Sequence, residues 1–160
     1  LTLGGSNAYS GVTTIHAGTL ALGHVNALAG GGDVTFKGGM LRLEANLGTL
    51  TNAIVNSTAS MAVDTNSYDA AINGNLAATN VAGLDKFGAG KLTLGGSNAY
   101  TGVTTIHAGT LALGHVNALA GGGDVTFKGG TPSSFSTGGS TRKGSGSDAG
   151  PGTCGSRASL

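Results

Sequence analysis

The chain has 160 residues, 32 of them glycine, and its eight basic and seven acidic side chains leave a net charge of +1. Glycine at about one residue in five without a G-X-Y period excludes collagen, and 39% hydrophobic residues argue against a wholly disordered chain. The sparse, balanced charge offers no basic patch for nucleic acid. A lone cysteine, Cys154, excludes an intrachain disulfide or a multi-cysteine zinc site, and no apolar run reaches the roughly 18 to 20 residues of a membrane span.

In chain order, the opening stretch is a row of short period-two alternations. Leu1 and Leu3 flank Thr2, Thr13 and Ile15 flank Thr14, Leu20 and Leu22 flank Ala21, and Val34 and Phe36 flank Thr35. Alternation of this kind puts one set of side chains on one face of a strand. Ser6-Asn7-Ala8-Tyr9 and Gly30-Gly31-Gly32-Asp33 punctuate the runs as turns. Met40 to Ala45 alternates again, with Leu41, Leu43 and Ala45 on one face and Arg42 and Glu44 on the other. Leu50 to Val55 is a weaker run, and Ser60 to Thr65 turns Met61 and Val63 inward and Asp64 outward. Ile72, Gly74 and Leu76 form a further row, and Leu84 and Phe87 lead into residues 92–130. Those residues repeat 1–39 with one change, Ser10 to Thr101, at an offset of 91. No segment needs a helix.

Leu3, Leu22, Leu43, Val63 and Leu84 recur about every 20 residues, a period at the short end of those seen in solenoids. Such a recurrence predicts roughly four coils per 91-residue unit, each too small to bury a core alone. An antiparallel sandwich needs tight hairpins, and Asn73-Gly74 is the single Asn-Gly or Asp-Gly dipeptide. A parallel β-helix pairs each strand with its counterpart one coil later, which the spacing supplies directly. The reading is therefore all-β, a parallel β-helix over 1–130. Residues 131–160 form a Gly/Ser-rich tail whose one sizeable apolar side chain before Leu160 is Phe135, and this composition predicts disorder. The break after Gly130 admits a second reading, a change of frame just past the duplicated block. The absence of an initiator Met and of a signal-type leader reads as an internal piece of a longer chain.

Gly88-Ala89-Gly90-Lys91-Leu92-Thr93-Leu94, continuing through Ser97-Asn98-Ala99-Tyr100-Thr101-Gly102 to Leu113-Gly114, resembles the autotransporter passenger-associated β-strand repeat. The motif positions are Tyr9, Gly11, Thr13, Ile15, Gly18, Leu20 and Leu22 in the first copy. In the second they are Tyr100, Gly102, Thr104, Ile106, Gly109, Leu111 and Leu113. The resemblance implies a right-handed β-helix on a secreted, surface-displayed bacterial polypeptide of the outer membrane. It supplies no catalytic residue and no cofactor. Nothing in the chain resembles the export barrel of such proteins.

Most chemical candidates fade on inspection. Gly88-Ala89-Gly90-Lys91 lacks the Ser or Thr of a phosphate loop, because Leu92 follows, and Asp85 stands where its leading Gly belongs. His16, His107, His24 and His115 have no Glu or Cys at ligand spacing and read as solvated. Glu44, Asp64 and Asp85, at successive steps of the same recurrence, could align on one outer face about 4.8 Å apart. Such a row would require a cation such as calcium, with Arg42 or Lys86 nearby, by analogy with β-helix polysaccharide lyases. The sequence thus predicts a non-enzymatic stalk whose partners are neighbouring coils and host or surface glycans or proteins. The alternative is a calcium-dependent polysaccharide-binding or lyase-like site on Glu44, Asp64 and Asp85.

Overall fold

A computed structural model describes residues 1–129, so the expectations for the tail lie outside the described residues. Thirteen strands occur there: β1 (Thr2–Leu3), β2 (Thr13–Ile15), β3 (Thr19–Leu22), β4 (Val34–Phe36), β5 (Met40–Leu43), β6 (Gly48–Leu50) and β7 (Met61–Asp64), followed by β8 (Ala70–Ile72), β9 (Leu84–Phe87), β10 (Lys91–Leu94), β11 (Thr104–Ile106), β12 (Thr110–Leu113) and β13 (Val125–Phe127). All the strand pairings are parallel. The all-β, parallel β-helix expectation holds: the chain is a β-solenoid.

The coil has three faces. A long sheet runs β1-β3-β5-β7-β9-β11-β13, a second runs β12-β10-β8-β6, and a third pairs β2 with β4. The third face continues beyond β4 through parallel bridges from Val34 to Ile54 and from Ile54 to Leu76. From Met40 onward the chain passes from long sheet to second sheet to third face and back again. Parallel strands need long crossovers, and here each crossover is simply the rest of one coil.

Side chains alternate across each strand, and the register lines up the inward ones along the rod. Leu20, Leu41, Val63, Lys86, Ile106 and Phe127 form one column of the long sheet. On the second sheet Leu50, Ile72, Leu94 and Leu113 form another. Ile15 stacks on Phe36, and Val34, Ile54 and Leu76 line the third face. Leu22, Leu43, Leu76, Leu84, Leu92 and Leu94 are wholly buried. At about 1.5–3 kcal/mol per fully buried aliphatic side chain, these columns are the main source of cohesion between coils that make no local core.

The coil length is irregular. Along the long sheet Thr2 pairs with Ala21, Leu20 with Leu41, Leu41 with Val63, Val63 with Lys86, Lys86 with Ile106, and Ile106 with Phe127. A coil therefore averages about 21 residues, short for a solenoid repeat. The expected ladder of Leu3, Leu22, Leu43, Val63 and Leu84 holds for its first two steps and then slips. Val63 lies beside Leu41 in place of Leu43, and Leu84 beside Met61 in place of Val63. Each slip is an even number of positions, so it preserves the period of two and keeps inward side chains inward. The expected single row of Ile72, Gly74 and Leu76 is instead split across a corner, with Ile72 in β8 and Leu76 on the third face.

Dividing the 91-residue unit by the mean coil gives about four and one third coils, not four. The duplicated blocks therefore fall on different faces. In the first copy β1 and β3 lie in the long sheet and β2 and β4 on the third face. In the second copy their counterparts β10 and β12 lie in the second sheet, and β11 and β13 in the long sheet. The strand limits nevertheless correspond: Thr13–Ile15 and Thr104–Ile106, Thr19–Leu22 and Thr110–Leu113, Val34–Phe36 and Val125–Phe127. The same sequence makes the same strands on whichever face the coil length delivers it to.

Corners explain the motif glycines. Gly109 has φ +68, and a Cβ there would lie 2.4 Å from the Gly88 carbonyl oxygen of the preceding coil. The left-handed backbone and the close approach both require glycine. In the coil before Gly88, Asn66 takes the same left-handed conformation with φ 53, and its amide donates to the Asp64 carboxylate at 2.7 Å.

Candidate functional site

The outward face of the long sheet carries most of the ionisable side chains between the two copies. On β5 and β7, Arg42 Nε lies 3.1 Å from Glu44 and 3.8 Å from Asp64. These half-exposed pairs contribute little to stability, on the order of 0–1 kcal/mol. Further along the rod, Ser60 donates a hydrogen bond to Asp85, whose other oxygen lies 3.0 Å from His107 Nε2. Burial pushes the Asp85 carboxyl up, but the hydrogen bonds from Ser60 and His107 and the charges of His107 and Lys128 outweigh it and hold it below the ordinary value. The His107 ring also stacks on Phe87, with centroids 4.1 Å apart.

Glu44, Asp64 and Asp85 do not form the expected row. The register sets Asp64 beside Arg42 and Asp85 beside Ala62, so the carboxylates fall in different outward columns. The cause is the slip between β5 and β9, where the coils lengthen as Leu41 meets Val63 and Val63 meets Lys86. Arg42 separates Glu44 from Asp64, and Asp85 is engaged by Ser60 and His107. No group of three or more His, Cys, Asp or Glu side chains able to hold a metal occurs among the described residues. The order Ser60–Asp85–His107 also differs from a nucleophilic triad, in which the imidazole must lie between hydroxyl and carboxylate to accept the proton.

Lys86 departs furthest from expectation. The sequence offers it as a basic residue beside the carboxylate row, yet it points into the rod within the aliphatic column and is wholly buried. Its Nζ donates to Thr65 Oγ1 at 2.8 Å and to the carbonyls of Phe87 at 2.6 Å and Gly88 at 2.8 Å, with Ala108 O more distant at 3.3 Å. Burial draws the amine down to about 8, against the weaker opposing pull of Asp64 and Asp69. The ammonium thus ties corner groups of adjacent coils together, adding to the bond that the Thr65 amide already donates to Phe87 O. The sequence signal was present: in Leu84-Asp85-Lys86-Phe87, period two places Lys86 with Leu84, but charge argues for the surface.

Buried amides do similar work and were missed because Asn reads as a turn former. Asn80 accepts from Ser57 N at 3.0 Å and donates to Ile54 O at 2.7 Å, and Asn98 accepts from Leu76 N at 2.9 Å and donates to Ala118 O at 2.9 Å. Each links adjoining coils where the β-ladder breaks. Of the four histidines, His16 is exposed and His24 and His115 each accept from a turn amide, Asn26 N and Asn117 N, at 3.0 Å. His107 is engaged rather than free, which corrects the reading of it as a solvated side chain.

The motif residues are structural in placement. Tyr100 and Thr104 share a hydrogen bond of 2.6 Å, and burial pushes the tyrosine up to about 12 despite that bond. Ile15, Leu20, Leu22, Ile106 and Leu111 are buried, Leu113 is partly buried, and Gly11, Gly18, Gly102 and Gly109 lie at bends or corners. A surface groove of about 260 Å³ runs beside β6, lined by residues including Val25, Leu47, Thr49 and Asn52. None of the side chains lining it is ionisable.

The passenger-associated-transport-repeat family matches residues 1–22 and 84–113, the segments that carry the motif positions. Among curated proteins, the Adhesin BmaC autotransporter of Brucella suis biovar 1 (strain 1330) is 35% identical over 144 residues, covering 81% of this chain. The chain spans 4% of that relative's length. No solved structure matches. With parallel coils whose aliphatic columns take Leu20, Leu94, Ile106 and Leu113 from the matched residues, the chain belongs to the autotransporter passenger repeat proteins as a segment of a surface passenger β-helix.

Proposed function

We propose that this segment is a non-enzymatic stalk that extends an autotransporter passenger from the bacterial outer membrane and presents its outward faces for adhesion. The observation that carries the reading is the continuous parallel register from β1 to β13, which makes the segment a rod built coil upon coil. Six coil steps at about 4.8 Å give an axial length of about 29 Å. The side chains with chemical potential are spent on joining coils: Lys86 on corner carbonyls, Asn80 and Asn98 on broken ladders, Asp85 on Ser60 and His107. The name of the Brucella relative supports adhesion, with host or surface glycans or proteins as the partner class.

The test is display of the segment on a non-adherent bacterium through a heterologous anchor. Attachment to host cells or immobilised glycans should rise above the anchor alone and survive Asp85→Asn and His107→Gln. Attachment no greater than the anchor's would overturn the adhesive part. Turnover of a glycan that these substitutions abolish would overturn the non-enzymatic part.

A further inference from the structure

The two near-identical blocks occupy different faces while keeping the same limits in three of their four strands. The long sheet takes all four strand sequences of the block, β1 and β3 from the first copy and β11 and β13 from the second, and each also forms on one other face, because a face asks only for inward aliphatic side chains at period two and a tight corner. We propose that the 91-residue unit is a phase-preserving module. Adding or removing one whole unit lengthens or shortens the rod by about 21 Å, at about 4.8 Å per coil. It also turns everything beyond the junction by one face. Passengers with several such units would display identical outward groups in three directions around the rod, in a three-start spiral that returns to its first face after three units.

Three observations lead to this. The unit is about four and one third coils long, so its remainder is one face of three. The second copy pairs with residues of the stretch between the copies, Leu92 with Ala70 and Thr104 with Leu84, and keeps its strands. Finally, the coils between the copies vary in length while the inward columns continue, so the stack tolerates local irregularity but keeps its period-two phase. The inference concerns the geometry of the rod and stands whether or not the rod adheres.

The experiment inserts a further copy of residues 40–130 between Gly130 and Thr131 of the full chain, in a Cys154→Ser background. Spin labels replace Val25, Val116 and the corresponding valine of the added unit, in pairs; Val25 and Val116 are exposed in the present chain. The elongated chain should retain a β-type circular dichroism spectrum and cooperative unfolding. Its first-to-third label distance should be clearly less than twice its first-to-second distance, because each pair is offset sideways as well as along the axis. A ratio of two, meaning labels in a straight line, would overturn the rotation. An elongated chain that does not fold would overturn the modularity. On the unextended chain, a Val25–Val116 label distance equal to the axial rise alone would also overturn the rotation, and a larger one supports it.

Discussion

The first copy, 1–39, and the second, 92–130, differ at one residue in sequence but at many positions in burial. Tyr9 is 40% exposed and Tyr100 only 3%. Gly11 has open space where a Cβ would go, whereas Gly102 presses against the backbone of Ala82 and Gly83. Phe36 is wholly buried between coils, and Phe127, in the last described coil, is only partly covered. Such pairs separate what a residue contributes through its own strand from what it contributes through its neighbours. The difference follows which described coils each copy stacks against, which is the behaviour of a quasi-one-dimensional assembly.

Matched substitutions in the two copies should therefore diverge, and chemical denaturation measures the divergence. Phe36→Ala should cost about 4 kcal/mol, within the range for a buried aromatic, and Phe127→Ala about half as much or less. Equal costs would mean that stacking does not govern the column. Gly102→Ala drives a methyl to 2.3 Å from Gly83 N and should cost about 2–3 kcal/mol, while Gly11→Ala should stay within about 0.5 kcal/mol. Asn98→Ala strips partners from two backbone groups of adjoining coils and should cost about 2 kcal/mol. Asn7→Ala, which removes donations to Gly5 O and Ala27 O on a less buried site, should cost about 1 kcal/mol. The smallest contrast is Tyr100→Phe, at about 1 kcal/mol, against about 0.3 kcal/mol for Tyr9→Phe.

The strands and their direction were legible because period-two alternation with a recurrence near 20 leaves few other ways to bury short apolar runs. The motif tyrosines and glycines were legible through the family resemblance, because Tyr9 and Tyr100 recur with the 91-residue unit and not with the coil. The pairing register was not. The longer coils between β5 and β9 arise from corner residues with no periodic signature, and this slip dispersed the supposed row of Glu44, Asp64 and Asp85. Lys86 was misjudged because its charge outweighed its position in the alternation. The fit of ammonium to corner carbonyls exists only once adjacent coils are stacked. The one-face rotation of the second copy was hidden because it requires the mean coil length to better than one residue in twenty.

The central claim is that this rotation sets Thr93 beside Ala71 on the second sheet, while Thr93 and its twin Thr2 keep equivalent partners one coil later, Ala112 on the second sheet and Ala21 on the long sheet. Cysteines at Ala71 and Thr93, in a Cys154→Ser background, test it most directly, since paired Cα atoms on adjacent parallel strands lie within disulfide reach. Under mild oxidation the Ala71→Cys/Thr93→Cys pair should close as readily as Ala21→Cys/Arg42→Cys on the long sheet, with the linked peptide identified by mass. Closure of the long-sheet pair alone would contradict the rotated stack.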